Sequence, residues 1–152
     1  MLKDMAKQLK EAVICLIHID YSSFLFQLRD KNPDISFPGY YGAFGGAVEG
    51  RETPKVACAR ELQEELGFAP DELKFFRAYV VPDYKVHLHV FYGGLNVPIS
   101  DLCLAEGMDM GLFNKTEIFS RYLFSKKFSQ VFPVIPNQIG FVGDFCESFP
   151  EK

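Results

Sequence analysis

The sequence contains no tryptophan, no Cys-x-x-Cys pair and no apolar run of the roughly 20 residues that a membrane-spanning helix needs. Its first ten residues are polar and lysine-rich, and no apolar segment typical of a signal peptide follows them. Positive charge is also scarce, because 16 Lys and Arg stand against 20 Asp and Glu. A protein that binds a nucleic-acid polymer usually carries a basic surface. We therefore expect a cytoplasmic protein with neither a membrane nor a nucleic-acid polymer as partner.

The four cysteines are scattered through the chain: Cys15, Cys58, Cys103 and Cys146. This spacing matches neither a zinc ribbon nor a thioredoxin-like motif. Cysteines of this kind are more often reduced than paired in an intracellular protein. We expect free thiols.

The pattern of apolar residues predicts a mixed α+β domain that occupies residues 1–152. Strands are predicted over residues 12–19, 23–29, 73–81 and 85–95, and a short glycine-rich strand edge over 41–48. Thr53 and Pro54 are typical of a helix start, and Gly67 of the end of a helix that reaches Leu66. Further helices are predicted over residues 116–125 and from about Pro136. The expected architecture is a mixed sheet with helices packed on it.

The helix predicted after Thr53 carries Glu61, Glu64 and Glu65, which the helical period places on one face. The core-facing side is predicted to contain Val56, Ala59, Leu62 and Leu66. Two charges 4 Å apart repel by about 4 kcal/mol at an effective dielectric of 20, and no lysine lies four residues away to compensate. Clustered carboxylates suit Mg²⁺ or Mn²⁺, which are often shared with substrate phosphates. Taken alone, the three residues also fit a solvated acidic face that binds a basic partner.

The residues around this helix resemble the Nudix box, Gly-x5-Glu-x7-Arg-Glu-(aliphatic)-x-Glu-Glu-x-Gly-(apolar). Every fixed position of that motif is filled, by Gly46, Glu52, Arg60, Glu61, Leu62, Glu64, Glu65, Gly67 and Phe68. The chain departs from the usual family pattern at one point, because Phe44 rather than proline precedes the two glycines. The resemblance implies the Nudix α/β/α sandwich over about residues 11–148.

The resemblance also implies a role for each residue of the box. Glu61, Glu64 and Glu65 are expected to be catalytic metal-binding carboxylates, and the Gly46 carbonyl a further ligand. Glu52 and Arg60 are expected to brace the loop against the helix. A later glutamate is a metal ligand or general base in several family members. Glu106 is our candidate for that role and Asp109 a weaker one.

Residues outside the box offer further candidates for substrate contact: Arg29, Tyr41, Phe44 and His87. Arg29 is placed to meet a phosphate, and the aromatic residues Phe37, Tyr40 and Tyr41 to stack on a base. His87 and His89 share one face of a predicted strand, but the sequence offers them no third ligand at metal-binding spacing. We therefore expect a polar strand face or a substrate contact there rather than a metal site.

The implied activity is Mg²⁺-dependent hydrolysis of a diphosphate linkage in a nucleoside diphosphate joined to a group X. The substrate is expected to be a small nucleotide, namely a nucleoside triphosphate, a nucleotide sugar or a dinucleoside polyphosphate. An alternative is a Nudix-fold nucleotide-binding or sensor domain without catalysis, although such proteins usually lose box carboxylates and this chain keeps all of them. Family members are often homodimers, so a homodimer is compatible with the resemblance.

Overall fold

The computed structural model describes residues 9–150, which contain a seven-stranded mixed sheet, a two-stranded sheet and three α-helices. The strands are β1 (Lys10–Ile19), β2 (Ser23–Leu28), β3 (Tyr41–Gly42), β4 (Phe44–Ala47), β5 (Lys74–Val81), β6 (Val86–Gly94), β7 (Asp109–Asn114), β8 (Tyr122–Ser125) and β9 (Gln130–Pro133). The helices are α1 (Pro54–Leu66), α2 (Lys115–Phe119) and α3 (Pro136–Ser148).

Strand β1 lies at the centre of the large sheet because both of its faces are apolar. Val13, Cys15 and Ile17 pack with residues of α1 on one face. Ile14 and Leu16 point to the other face, where α3 packs. A strand buried on both faces is expected to read as a continuous apolar run, which is the sequence pattern of residues 12–17. The result is the α/β/α sandwich that the sequence predicts.

One edge of β1 is divided between two antiparallel partners. Strand β2 pairs with its end, at His18 and Ile19, whereas β4 pairs with its first half, from Ala12 to Cys15. The opposite edge of β1 pairs along its length with the parallel strand β6. The rest of β2 therefore runs away from β1 and pairs with β3 and β7 instead. This divergence brings the β4 loop, the β2 end and α1 to one side of the sheet.

The predicted helix over residues 116–125 is wrong in its second half. Helix α2 ends at Phe119, and Arg121 adopts a positive φ of 75°, which stops helical propagation. Tyr122–Ser125 then forms β8 and pairs with β9. Only the start of α2 is set locally, by a capping box in which Asn114 and Glu117 bond each other's backbone. Strands β8 and β9 form a hairpin across residues 126–129, and each strand is only four residues long, too short for a clear periodic signal.

The prediction of which α1 residues face the core is also wrong in part. Val56 is 55% exposed, whereas Ala57 and Cys58 are fully buried with Leu62 and Leu66. The buried face is thus rotated towards Ala57, and this rotation carries Glu65 to the protein interior as well, where it is 6% exposed. The three carboxylates therefore do not share one solvent-facing surface.

Two smaller expectations concern the cysteines and the membrane. All four cysteines lie within residues 9–150 and are free thiols, as expected. In the part of the chain that the structure describes, the helices are too short or too polar to cross a lipid bilayer.

Candidate active site

In the segment formed by β4 and the loop that follows it, two glycines lie so close to neighbouring atoms that a side chain at either would clash. A Cβ atom at Gly45 would lie 2.0 Å from the carbonyl oxygen of Val13 in β1. A Cβ atom at Gly46 would lie 2.4 Å from the carboxyl carbon of Glu61 in α1. Gly45 thus permits the pairing of β4 with β1, and Gly46 permits the Glu61 carboxylate to rest against the backbone.

Arg60 fastens this loop to α1. Its Nε donates to Glu52 at 2.7 Å and one terminal nitrogen donates to the same carboxylate at 2.9 Å, a bidentate pair. That terminal nitrogen also donates to the Ala47 carbonyl at 3.0 Å. The hydrogen bond from Arg60 holds the pKa of Glu52 below its usual value. These contacts give Arg60 and Glu52 the bracing geometry that the resemblance implies.

Arg60 also supplies positive charge that the sequence analysis overlooked. Its other terminal nitrogen donates to Glu61 at 3.0 Å and to Glu64, four residues on, at 3.2 Å. A counter-charge for these two carboxylates therefore comes from inside the box. No such contact from Arg60 to Glu65 is found among residues 9–150.

Glu65 is the carboxylate whose environment is least compatible with a bare negative charge. Its Oε2 is buried and has no hydrogen-bond partner among residues 9–150. Burial, with the nearby carboxylates of Glu61 and Glu106, raises the pKa of Glu65 to about 8, although the Gly45 N–H and Arg29 oppose the rise. Burial also raises the pKa of Glu61, against the effect of Arg60.

The burial and the ligand atoms of these carboxylates indicate whether they suit a divalent cation. A buried carboxylate oxygen without a partner normally finds a positive group or an ion. Glu61, Glu64 and Glu65 offer only oxygen atoms, which suit Mg²⁺ and Mn²⁺ rather than softer metals. The missing side chain at Gly46 lets the Glu61 carboxylate lie against the backbone there. The donor set therefore fits a hard divalent cation.

The carboxylates form one wall of a cleft of about 910 Å³. Arg29 and Glu106 also line this cleft. Burial lowers the pKa of Arg29, and the negative charges of Glu65 and Glu106 counteract that effect, which shows that the three side chains act on one another. Arg29 is held in place by donating from Nε to the Ser36 carbonyl at 2.7 Å. The structure thus brings Arg29 and Glu106 to the box carboxylates.

Four other candidates from the sequence do not line the cleft. Tyr41 and Phe44 are fully buried in the two apolar cores, because their strands are covered on both faces. Asp109 is engaged elsewhere, since its Oδ2 accepts from Ser125 at 2.6 Å and from Tyr41 at 3.4 Å. His87 contacts Glu11, which lines the cleft, but His87 itself does not. The lining of the cleft therefore does not support the substrate contacts expected of Tyr41, Phe44 and His87, or the weaker expectation that Asp109 is a metal ligand or general base.

Sequence analysis missed several cleft residues that have no catalytic signature. They are the amides Gln27, Asn137 and Gln138 and the exposed aromatic Tyr84. The Gln138 side chain accepts from the Ala43 N–H at 2.7 Å, which ties α3 to the segment before the two glycines. Phe37, which was expected to reach a base, does line the cleft and packs against Tyr84 with ring centroids 5.0 Å apart. The missed amides come from distant segments that only the fold brings together.

The raised pKa of Glu65 predicts that the metal-free protein becomes less stable as pH rises from about 5 to 9. In the folded protein this carboxyl keeps its proton up to about pH 8, whereas its ordinary pKa is 4.5. Between these values the folded state binds the extra proton, so the free energy of unfolding falls with rising pH, by roughly 2–5 kcal/mol in all. Urea unfolding in EDTA at several pH values measures this fall.

A matched pair of variants separates Glu65 from other titrating groups. Glu65→Gln should abolish most of the pH dependence and raise stability above that of the wild type at pH 9. Glu72→Gln, on an exposed carboxylate that pairs with Lys74, should keep the wild-type profile. A Glu65→Gln protein with an unchanged pH profile would show that Glu65 does not carry the proton.

Comparison with known proteins agrees with this geometry. The family model described as the NUDIX domain matches residues 8–102. No curated protein matches the chain. Among solved structures, a MutT protein from Methanosarcina mazei Go1 superimposes with a TM-score of 0.71 at 23% identity, covering 93% of this chain and 95% of that one.

Two further structures share the fold. A MutT structure from a study of the Aliivibrio salmonicida and Vibrio cholerae proteins has a TM-score of 0.68 at 19% identity, covering 92% of this chain and 98% of that one. The NUDIX domain of Shewanella oneidensis NrtR, solved with ADP ribose, has a TM-score of 0.68 at 12% identity, covering 92% and 88%. At these identities the likeness concerns the fold. Because the family model matches more than half of the sequence, including the whole box, the chain belongs to the Nudix family of hydrolases.

Proposed function

We propose that this Nudix hydrolase works as a single catalytic domain that cleaves the diphosphate linkage of a small nucleoside diphosphate-X compound with the help of Mg²⁺, for which Mn²⁺ can substitute. The observation that carries the proposal is the buried, unpartnered Oε2 of Glu65 beside Glu61 on the wall of the cleft. Such an oxygen, grouped with further carboxylates, favours a site that is completed by a cation.

Glu61, Glu64 and Glu65 would hold the cation, with the Gly46 carbonyl as a further ligand. When bound, a divalent cation lowers the pKa of an attacking water and neutralises charge on the diphosphate. Arg60 and Glu52 hold the loop against α1, so that the ligands stay in place. Arg60 balances part of the charge of Glu61 and Glu64, and a bound cation would balance the rest.

Two further residues are assigned to the substrate itself. Arg29 faces the carboxylates across the cleft and would bind a phosphate oxygen, the anion that a guanidinium recognises best. Glu106 is exposed and close enough to influence Glu65 and Arg29. It would accept the proton of the attacking water, with a typical contribution of about 10²–10⁴-fold to the rate. The phosphate would then lie between Arg29 and the carboxylates.

The base or the group X would occupy the part of the cleft formed by Phe37, Tyr84 and the amides of Asn137 and Gln138. Aromatic faces stack on any base, and amides pair with base edges. The size of the cleft, about 910 Å³, suits a whole nucleotide, since ligand pockets commonly span 300–1,000 Å³. The ADP ribose bound by the Shewanella NrtR domain is one compound of this class.

A substrate panel tests the proposal. We would incubate the protein with nucleoside triphosphates, nucleotide sugars, dinucleoside polyphosphates and ADP-ribose, with Mg²⁺ or with EDTA, and separate the products by chromatography. At least one compound should be hydrolysed at the diphosphate only when Mg²⁺ is present. Binding of a nucleotide without turnover, in protein whose fold is verified by circular dichroism, would overturn the hydrolase proposal and favour a sensor domain.

A further inference from the structure

A second group of metal-ligating side chains lies where the parallel strands β1 and β6 begin. Glu11 of β1 is directly opposite His87 of β6, and Val13 is opposite His89. Residues two positions apart on a strand point to the same face. The strand register therefore places Glu11, His87 and His89 side by side, although Glu11 is distant from the histidines in the sequence.

The side chains converge on one point. His87 Nδ1 lies 2.9 Å from Glu11 Oε2, and His89 Nε2 lies 3.1 Å from the same oxygen. The two imidazole rings are 4.5 Å apart between centroids. One ligand atom from each of the three residues lies within 4.8 Å of the other two. Both histidines thus direct a nitrogen towards the same carboxylate.

The chemistry of this group differs from that of the box. Two imidazoles and one carboxylate are a ligand set for zinc and other borderline transition ions, whereas Mg²⁺ prefers oxygen alone. Metal–ligand bonds of about 2.0–2.2 Å at tetrahedral angles separate ligand atoms by roughly 3.3 Å. The two nitrogen–carboxylate separations of 2.9 and 3.1 Å need to open by only a few tenths of an ångström, and the two nitrogens lie within 4.8 Å of each other.

The exposure of the group favours a site with an open position. The side chain of Glu11 is 48% exposed, that of His87 is 33% exposed and that of His89 is 15% exposed. His89 is flanked by Phe75 of β5, with ring centroids 6.5 Å apart. An ion held by these three residues faces solvent on one side, where water or another small ligand completes its coordination.

We propose that Glu11, His87 and His89 form a second metal site, which binds a zinc-class divalent ion and links β1 to β6. Glu11 also lines the cleft, but the three ligands do not include a box carboxylate, so the proposal does not rest on the proposed hydrolase activity. It corrects the expectation that His87 and His89 have no third ligand, because the missing ligand comes from a neighbouring strand.

Imidazole NMR tests this site without any activity measurement. The chain contains three histidines, and the third, His18, is an internal control because it lies against Tyr21 and Phe145 outside the group. The sample would carry Cys103→Ser, to remove an exposed thiol, and millimolar Mg²⁺, to occupy the box carboxylates. One equivalent of Zn²⁺ should shift the ring nitrogen signals of His87 and His89 and leave those of His18 in place.

Glu11→Gln is the matched variant, since it keeps the size and hydrogen-bonding ability of an exposed side chain and removes its charge. It should weaken Zn²⁺ affinity by at least about tenfold in calorimetry and lose the rise in melting temperature that Zn²⁺ gives the parent protein. Unshifted His87 and His89 signals at one equivalent of Zn²⁺, or equal affinity in the parent and Glu11→Gln proteins, would overturn the proposal.

Discussion

Replacement of Glu64 or Glu65 by glutamine is expected to lower the rate of diphosphate hydrolysis by about 10²–10⁴-fold, the range typical of a lost metal ligand or proton acceptor. Each change removes one negative charge from the proposed cation site and keeps the shape of the side chain. Glu64 is largely exposed and bonds Arg60, so its loss should change stability by no more than about 0.5 kcal/mol. Steady-state kinetics at saturating Mg²⁺ measure the effect.

The Glu65 variant separates catalysis from folding most sharply. Because the metal-free folded protein already protonates this buried carboxyl at neutral pH, the neutral glutamine should leave the melting temperature at pH 7 unchanged or higher. Glu72→Gln, in the exposed bend before β5 and outside the lining of the cleft, is the control and should keep the wild-type rate. A wild-type rate in both Glu64→Gln and Glu65→Gln would show that these α1 carboxylates do not take part in catalysis.

The second large effect is expected from Gly45→Ala, which should destabilise the protein by about 2–4 kcal/mol. The added methyl group would lie 2.0 Å from the Val13 carbonyl oxygen and 2.7 Å from the Ile14 Cα, both backbone atoms of β1. Backbone cannot move aside as a side chain can, so β4 must separate from β1. Urea unfolding followed by circular dichroism measures the loss.

Gly46→Ala, one residue later, should lower the rate of hydrolysis more than the stability of the fold. Its methyl group would meet only the Glu61 carboxylate, which can rotate away. The fold is therefore retained, while hydrolysis falls by about 10- to 100-fold because a proposed ligand is displaced. Gly140→Ala, at an exposed position of α3 with open space around it, is the control and should stabilise by up to about 1 kcal/mol. Equal stability of Gly45→Ala and Gly140→Ala would contradict the close approach of β4 to β1.

The sequence predicts the parts of this protein whose signals are local. The double-sided apolar pattern of β1, the Thr53 cap, which accepts from the Val56 N–H, and the left-handed Gly67 define the central strand and α1. The box spacing predicts the family, which the family model confirms. It also predicts the carboxylates and the Arg60 brace, because all of them lie on one short segment.

The rest depends on contacts between distant segments. The burial of Glu65 follows from how α1 rotates against the sheet, and a helical wheel that treats Val56 as core cannot show it. Glu11 joins His87 and His89 only through the parallel register of β1 and β6. The amides of Gln27 and Gln138 reach the cleft from β2 and α3. Amide side chains carry no pattern that distinguishes a binding role from an ordinary surface position.

The central claim is that α1 holds a divalent cation through Glu61, Glu64 and Glu65. Mn²⁺ titration followed by electron paramagnetic resonance tests it directly, since free and bound Mn²⁺ give distinguishable signals. The protein would carry Glu11→Gln, so that the histidine group does not contribute, and would be compared with the same protein in which all three glutamates are glutamine. We predict that the first protein binds Mn²⁺ and that the second loses at least about 100-fold in affinity. Equal Mn²⁺ affinity in the two proteins would contradict the account.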